Sequence, residues 1–267
     1  MKPPVLMIHG AFVGGWSFER LADHFAARGH EVHAPDLRHH DLGPRGKPPA
    51  ALGTTGVRDY VDDLKAIAAR LSGPPILVGH SMGGLLAQIL AAEIPAAAAI
   101  LLAPSAPWGV LPSTQFEIAQ AQGLYMAGNF WTMPLKPRFW IAAAHALDRM
   151  PEAERHAIFA RFVPESGRAM FEILHWAMDT SHATMVHARD IECPILVLVG
   201  TEDRINHPRT VKRVAQRYGR RASYREFPGM SHWLIAEPGV EIVAHTMTSW
   251  LEKVLGASEA EKRKAAE

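Results

Sequence analysis

The chain has 267 residues, 48% of them hydrophobic and 21% charged, and its 28 Lys and Arg nearly balance its 27 Asp and Glu, for a formal net charge of +1. Such a composition excludes a disordered or fibrous chain, and the balanced charge gives no electrostatic footprint for nucleic acid or an anionic membrane. The single cysteine excludes an intramolecular disulfide and has no neighbours with which to build a zinc site.

The opening MKPPVLMIHG carries one lysine and an apolar run too short for a signal-peptide core. No later segment is apolar over the length a bilayer requires, so a cytoplasmic protein without membrane insertion is expected. Short apolar runs follow at Val5 to Ile8, Glu31 to Ala34, Ile76 to Val78, Ile100 to Ala103, Ile195 to Val199 and Ser223 to Phe227. Bounded by Gly and Pro, they read as strands buried on both faces. Between them, Ser17 to Arg28, Thr55 to Leu71, Met82 to Glu93, His207 to Tyr218 and Val240 to Leu255 carry apolar residues at helical spacing. Thr55 suits an N-cap, and Pro208 and Pro238 suit first-turn positions.

Strands alternating with helices imply right-handed crossovers and a mainly parallel sheet covered on both faces, an α/β three-layer sandwich. The alternation stops after Pro104 and resumes near Cys193, leaving roughly 85 residues with helical periodicity and no convincing strand. The expected organisation is therefore a core of residues 1–104 and 191–256, an inserted helical cap of 105–190, and a charged tail of 257–267. Within the cap, helices are expected near Ser113 to Gly123, Pro137 to Leu147, Pro151 to Phe162 and Ser166 to Met178. Cys193 borders a strand and reads as an inert core thiol.

The chemistry concentrates at Ile76-Leu77-Val78-Gly79-His80-Ser81-Met82-Gly83-Gly84-Leu85, a strand that turns abruptly into a helix. A serine at such a turn is strained, and Gly79 and Gly83 allow close backbone approach, so the hydroxyl stands above the strand end. A serine hydroxyl needs an adjacent base that is itself oriented by a third group. His232 lies in the loop after the last strand, and Glu202 and Asp203 follow the strand before it. All belong at the carboxyl edge of the sheet, where open α/β sheets bind ligands. His207 is a rival base, but before Pro208 it reads more simply as a helix cap. For an oxyanion, the Met82 N–H at the start of the helix needs a second donor from the loop His9-Gly10-Ala11-Phe12-Val13-Gly14-Gly15-Trp16, with Ala11 the candidate and Phe12 the fallback.

On these residues the chain resembles α/β-hydrolase-fold enzymes. His9-Gly10-Ala11 with Gly79-His80-Ser81-Met82-Gly83-Gly84 is similar to monoglyceride lipases, and His9 to Leu37, with Gly14-Gly15-Trp16 and Gly29-His30-Glu31-Val32, resembles plant methylesterases and hydroxynitrile lyases. The resemblance covers both sides of the cap but not the cap, and the chain reaches its first strand without the family's first two. The family spacing selects Asp203 over Glu202 as the acid. It implies a carboxylic ester hydrolase with catalytic Ser81, Asp203 and His232, an oxyanion hole of Ala11 and Met82, and no cofactor.

The cap's aromatic residues mostly pack the cap. Those that face the serine would favour a small hydrophobic ester, and Phe12, Trp131, Trp140 and Trp233 are the candidate substrate-binding side chains. Lactones and thioesters are near neighbours of the ester, and a carbon–carbon bond hydrolase or hydroxynitrile lyase would use the same triad. A serine at the elbow argues against haloalkane dehalogenases and epoxide hydrolases, which carry aspartate there. A reading of another class is a ligand receptor without turnover, and a homodimer stays open. The cluster His33-Ala34-Pro35-Asp36-Leu37-Arg38-His39-His40-Asp41 lacks the ligand spacings of a metal site and reads as a solvated loop.

Overall fold

The computed structural model describes residues 2–43, 46–126 and 128–266, with side chains described up to residue 257. In chain order the strands are β1 (Val5–Ile8), β2 (Val32–His33), β3 (Ile76–His80), β4 (Ala98–Leu102), β5 (Pro134–Leu135), β6 (Glu165–Ser166), β7 (Ile195–Gly200) and β8 (Ala222–Phe227). The helices are α1 (Glu19–Ala26), α2 (Val57–Ala68), α3 (Met82–Glu93), α4 (Gln115–Tyr125), α5 (Phe139–His145), α6 (Glu152–Phe159), α7 (Gly167–Leu174), α8 (Pro208–Arg217) and α9 (Val240–Ala266).

Six strands pair in the order β2-β1-β3-β4-β7-β8, every neighbour parallel. β1, β3, β4 and β7 are buried along their whole length, as their unbroken Val, Ile and Leu runs require of strands covered on both sides. The chain moves outward from β1 to β2 and then back to β3, so right-handed crossovers put α1 and α2 on opposite faces. α1 packs with α9, and α2 with α3. The reversal falls between β1 and β3, the position at which such sheets open a crevice.

The insertion between β4 and β7 holds the four expected helices, α4 to α7. It also holds a strand pair that its periodicity does not reveal, β5 and β6, antiparallel and two residues each. Two helix starts also differ from expectation. α2 begins at Val57 after Gly56, whose N–H meets Asp59 Oδ2 at 2.8 Å, while Thr55 turns its hydroxyl back to the Ala51 carbonyl. Pro238 precedes α9 instead of occupying its first turn, whereas Pro208 does open α8. The charged tail continues α9, which runs to Ala266. Cys193 is buried, and burial pushes its thiol up to about 11. No helix among the described residues is long and apolar enough to cross a membrane.

Candidate active site

At the carboxyl ends of β1 and β3 the backbone is forced close together. Ser81 sits between β3 and α3 at φ 53° and ψ −119°, a region that side chains seldom occupy. Its own peptide groups fix it there: Ser81 N–H donates to the Leu102 carbonyl, and its carbonyl accepts from Gly84, Leu85 and Ser105. A side chain at Gly83 would collide with the carbonyl oxygens of Ile8 and His9, and one at Gly10 would press on Ser81 Cβ and His80. These two glycines let the loop after β1 lie directly against the elbow.

Three side chains more than a hundred positions apart at their widest meet on this rim. His232 Nε2 lies 3.0 Å from Ser81 Oγ, and His232 Nδ1 lies 2.9 Å from Asp203 Oδ2. The second oxygen of Asp203 accepts the N–H groups of Ile205 and Asn206, each at 2.9 Å. A carboxylate accepts only, so Nδ1 carries the proton and Nε2 is left to receive the one on the serine. Asp203 and His232 are 1% and 4% exposed, and Ser81 9%. Glu202 instead faces Arg149 at 3.4 Å with its side chain partly in solvent. His207 caps α8, accepting from Arg209 N–H at 3.3 Å.

The flanking histidines are structural and neutral. His9 accepts the Leu37 N–H on Nε2 at 2.9 Å and donates from Nδ1 to the Gly10 carbonyl at 2.8 Å. Burial, reinforced by the nearby His40, pushes it down to about 3. His80 donates from Nε2 to the His232 carbonyl at 2.8 Å, and burial followed by the proximity of His232 lowers it to about 3 as well. His80 thereby ties the elbow to the backbone of the loop that carries His232. That loop has two further supports: Glu237 accepts the Ser231 N–H at 2.8 Å, and Asp148 of the insertion accepts the Ser231 hydroxyl at 2.6 Å.

Among the described residues, the Ala11 and Met82 N–H groups donate to no protein acceptor. The Phe12 N–H, the fallback donor, is engaged by Glu165 Oε2 at 3.4 Å. The candidate substrate-binding side chains divide. Phe12 stands in the loop after β1 at φ 66°. Trp233 is buried and packs its ring with Trp16, His80 and Phe162, which makes it a support for the histidine loop. The structure does not bring the other two to the hydroxyl, a correction to the reading from composition. Trp131 packs within the insertion against Tyr125, Phe130 and Phe171, and Trp140 is 66% exposed. Helical spacing identified these rings as apolar without saying which side of the helix meets the core.

The loop after β2 is a second correction. It is not uniformly solvated, because His40 is 3% exposed and pairs with a wholly buried Glu165. Asp36 of the same loop accepts the Gly15 N–H at 2.8 Å and so supports the loop after β1. Among the described residues no group of three or more His, Cys, Asp or Glu is arranged to hold a metal ion.

With this geometry the chain can be placed. Residues 5–245 match the Alpha/beta hydrolase family, and the chain belongs to that family. A monoacylglycerol lipase of Mycolicibacterium smegmatis is 25% identical over 257 residues, covering 92% of this chain and 87% of the lipase. A pyrethroid hydrolase of Sphingobium wenxiniae is 36% identical over 91 residues, 34% of this chain and 31% of that protein, so the match spans about a third of it. The crystal structure of a monoacylglycerol lipase from Paleococcus ferrophilus superposes with a TM-score of 0.65 at 23% identity, covering 94% of this chain and 96% of that one, a likeness of fold.

Proposed function

We propose that the chain hydrolyses carboxylic esters through an acyl-enzyme on Ser81. The observation that carries this reading is the unbroken relay from Ser81 Oγ to His232 at 3.0 Å and from His232 to Asp203 at 2.9 Å, on a serine at positive φ. Attack of Oγ on the ester carbonyl passes the hydroxyl proton to His232 Nε2, and Asp203 stabilises the imidazolium that forms. The Ala11 and Met82 N–H groups receive the oxyanion. His232 then gives its proton to the leaving alcohol; in the second half it takes a proton from water as the water oxygen attacks the acyl carbon, and returns it to Ser81 Oγ as the ester bond to the serine breaks and the free acid departs.

The names of two relatives, a pyrethroid hydrolase and a monoacylglycerol lipase, support a hydrophobic group on the ester. The insertion, joined to both loops that flank the serine, serves as a cap over the bound ester. A series of p-nitrophenyl esters tests the proposal: turnover should rise as the acyl chain lengthens from acetate, and a fluorophosphonate should label Ser81 alone. Labelling elsewhere, or turnover that survives Ser81→Ala, would overturn it.

A further inference from the structure

Glu165 is 0% exposed, yet it sits where no carboxylate would be placed without a reason. It lies in β6, in the insertion, and every acceptor direction it has is used. Oε1 accepts the Tyr60 hydroxyl at 2.8 Å and the Ser166 N–H at 2.6 Å. Oε2 accepts His40 Nε2 at 3.0 Å and the Phe12 N–H at 3.4 Å. His40 Nδ1 faces the Arg38 carbonyl at 3.0 Å, so both ring nitrogens donate and the ring is an imidazolium. Burial opposes charge on both partners, but their mutual attraction and hydrogen bonds prevail, holding Glu165 below the usual carboxylate range and His40 above the usual imidazole one.

A buried ion pair is poor evidence of stabilisation, since apolar residues of equal volume often serve as well or better. What distinguishes this pair is the backbone at its end. Phe12 is held at φ 66° by two insertion residues, its N–H by Glu165 and its carbonyl by the Val163 N–H at 2.9 Å. On its other side, Gly10 is wedged against Ser81 and His80. Ala11 hangs between these two fixed points, and the direction of its N–H follows from them.

We propose that Glu165 is a positioning residue for the oxyanion loop: it fixes Phe12 so that the Ala11 N–H points at the developing oxyanion. His40 supplies the positive charge that keeps this carboxylate from opposing the oxyanion, and Tyr60 holds its orientation. The inference rests on the ester-hydrolase reading of Ser81.

The test compares wild type, Glu165→Gln and Tyr60→Phe on one p-nitrophenyl ester, with an alkyl trifluoromethyl ketone as inhibitor because its serine adduct carries an oxyanion. In folded Glu165→Gln, kcat should fall about 10- to 100-fold with KM within threefold, and Ki for the ketone should rise by a matching factor. Tyr60→Phe should show the same pattern at smaller size, with kcat down and Ki up about 3- to 10-fold. A residue that only staples the insertion would lower Tm without this split. Wild-type kcat and Ki in folded Glu165→Gln overturn the proposal, and if that variant does not fold, wild-type values in Tyr60→Phe do so. A wild-type enzyme that neither turns over esters nor reacts at Ser81 removes the ester-hydrolase reading itself, and this inference with it.

Discussion

α3 and α4 are nearly equal in length and differ in almost everything that holds them. α3 buries ten of its 12 residues against the sheet, while α4, with 11 residues, buries none. α4 is kept in place by a polar anchor: Thr114 caps it, and Glu117 accepts from the backbone and hydroxyl of Thr114 and from Thr210 at the start of α8. The difference teaches that these two helices rest on different physics. Apolar burial fixes the elbow helix to the sheet; a carboxylate reaching to backbone N–H and hydroxyl groups anchors α4.

The sharpest way to separate rim chemistry from rim structure is Ser81→Ala. It should lower kcat by on the order of 10⁶ on a p-nitrophenyl ester. The fold should survive, as read by an unchanged far-UV spectrum. Apolar burial in α3 is probed by Leu86→Ala, which should destabilise the protein by about 2–5 kcal/mol in urea unfolding. A loss below 1 kcal/mol there would erase the contrast between the helices.

A charge effect on the rim comes next. Burial pushes Glu237 up to about 7, with Asp148 and Asp203 adding to it, and its Oε2 is buried without a partner. The folded state therefore holds a proton that the unfolded chain releases. Its contribution is complete below the ordinary carboxylate range near 4.5 and is lost as pH rises through about 7. Glu237→Gln keeps the acceptor for Ser231 and should remove that part of the slope, leaving the variant more stable than wild type at pH 8 by at most about 3 kcal/mol. Equal slopes in Tm between pH 4.5 and 8 would count against the assignment.

α4 should yield the smallest effects. Thr114→Ala should cost about 1 kcal/mol, chiefly as faster amide exchange at the start of α4. Ile118→Ala, at a side chain 43% exposed, should change global stability by less than about 0.5 kcal/mol.

What could be read in advance follows the same division. The central strands β1, β3, β4 and β7 were legible because burial on both faces leaves apolar runs, whereas the edge strands β2 and β8 are only partly buried. Ser81 and Asp203 follow such runs, while His232 was placed by the loop after the half-buried β8 and by chain order. Glu165 was not legible, since its meaning comes from Tyr60, His40 and Phe12, more than a hundred positions away, and a two-residue strand carries no period. The one available hint was the crowding of imidazoles after β2, which spacing could exclude as a metal site but could not show to be an inward-facing cation. Trp140 shows the converse, an apolar residue at helical spacing that faces out.

The backbone angle at residue 81 has a consequence for anyone improving this protein. Glycine tolerates that conformation where serine and alanine do not, so Ser81→Gly should be more stable than Ser81→Ala by about 1 kcal/mol. Selection for heat resistance alone would drift toward that glycine and discard the hydroxyl, so a thermostability screen on this scaffold must score turnover in every round.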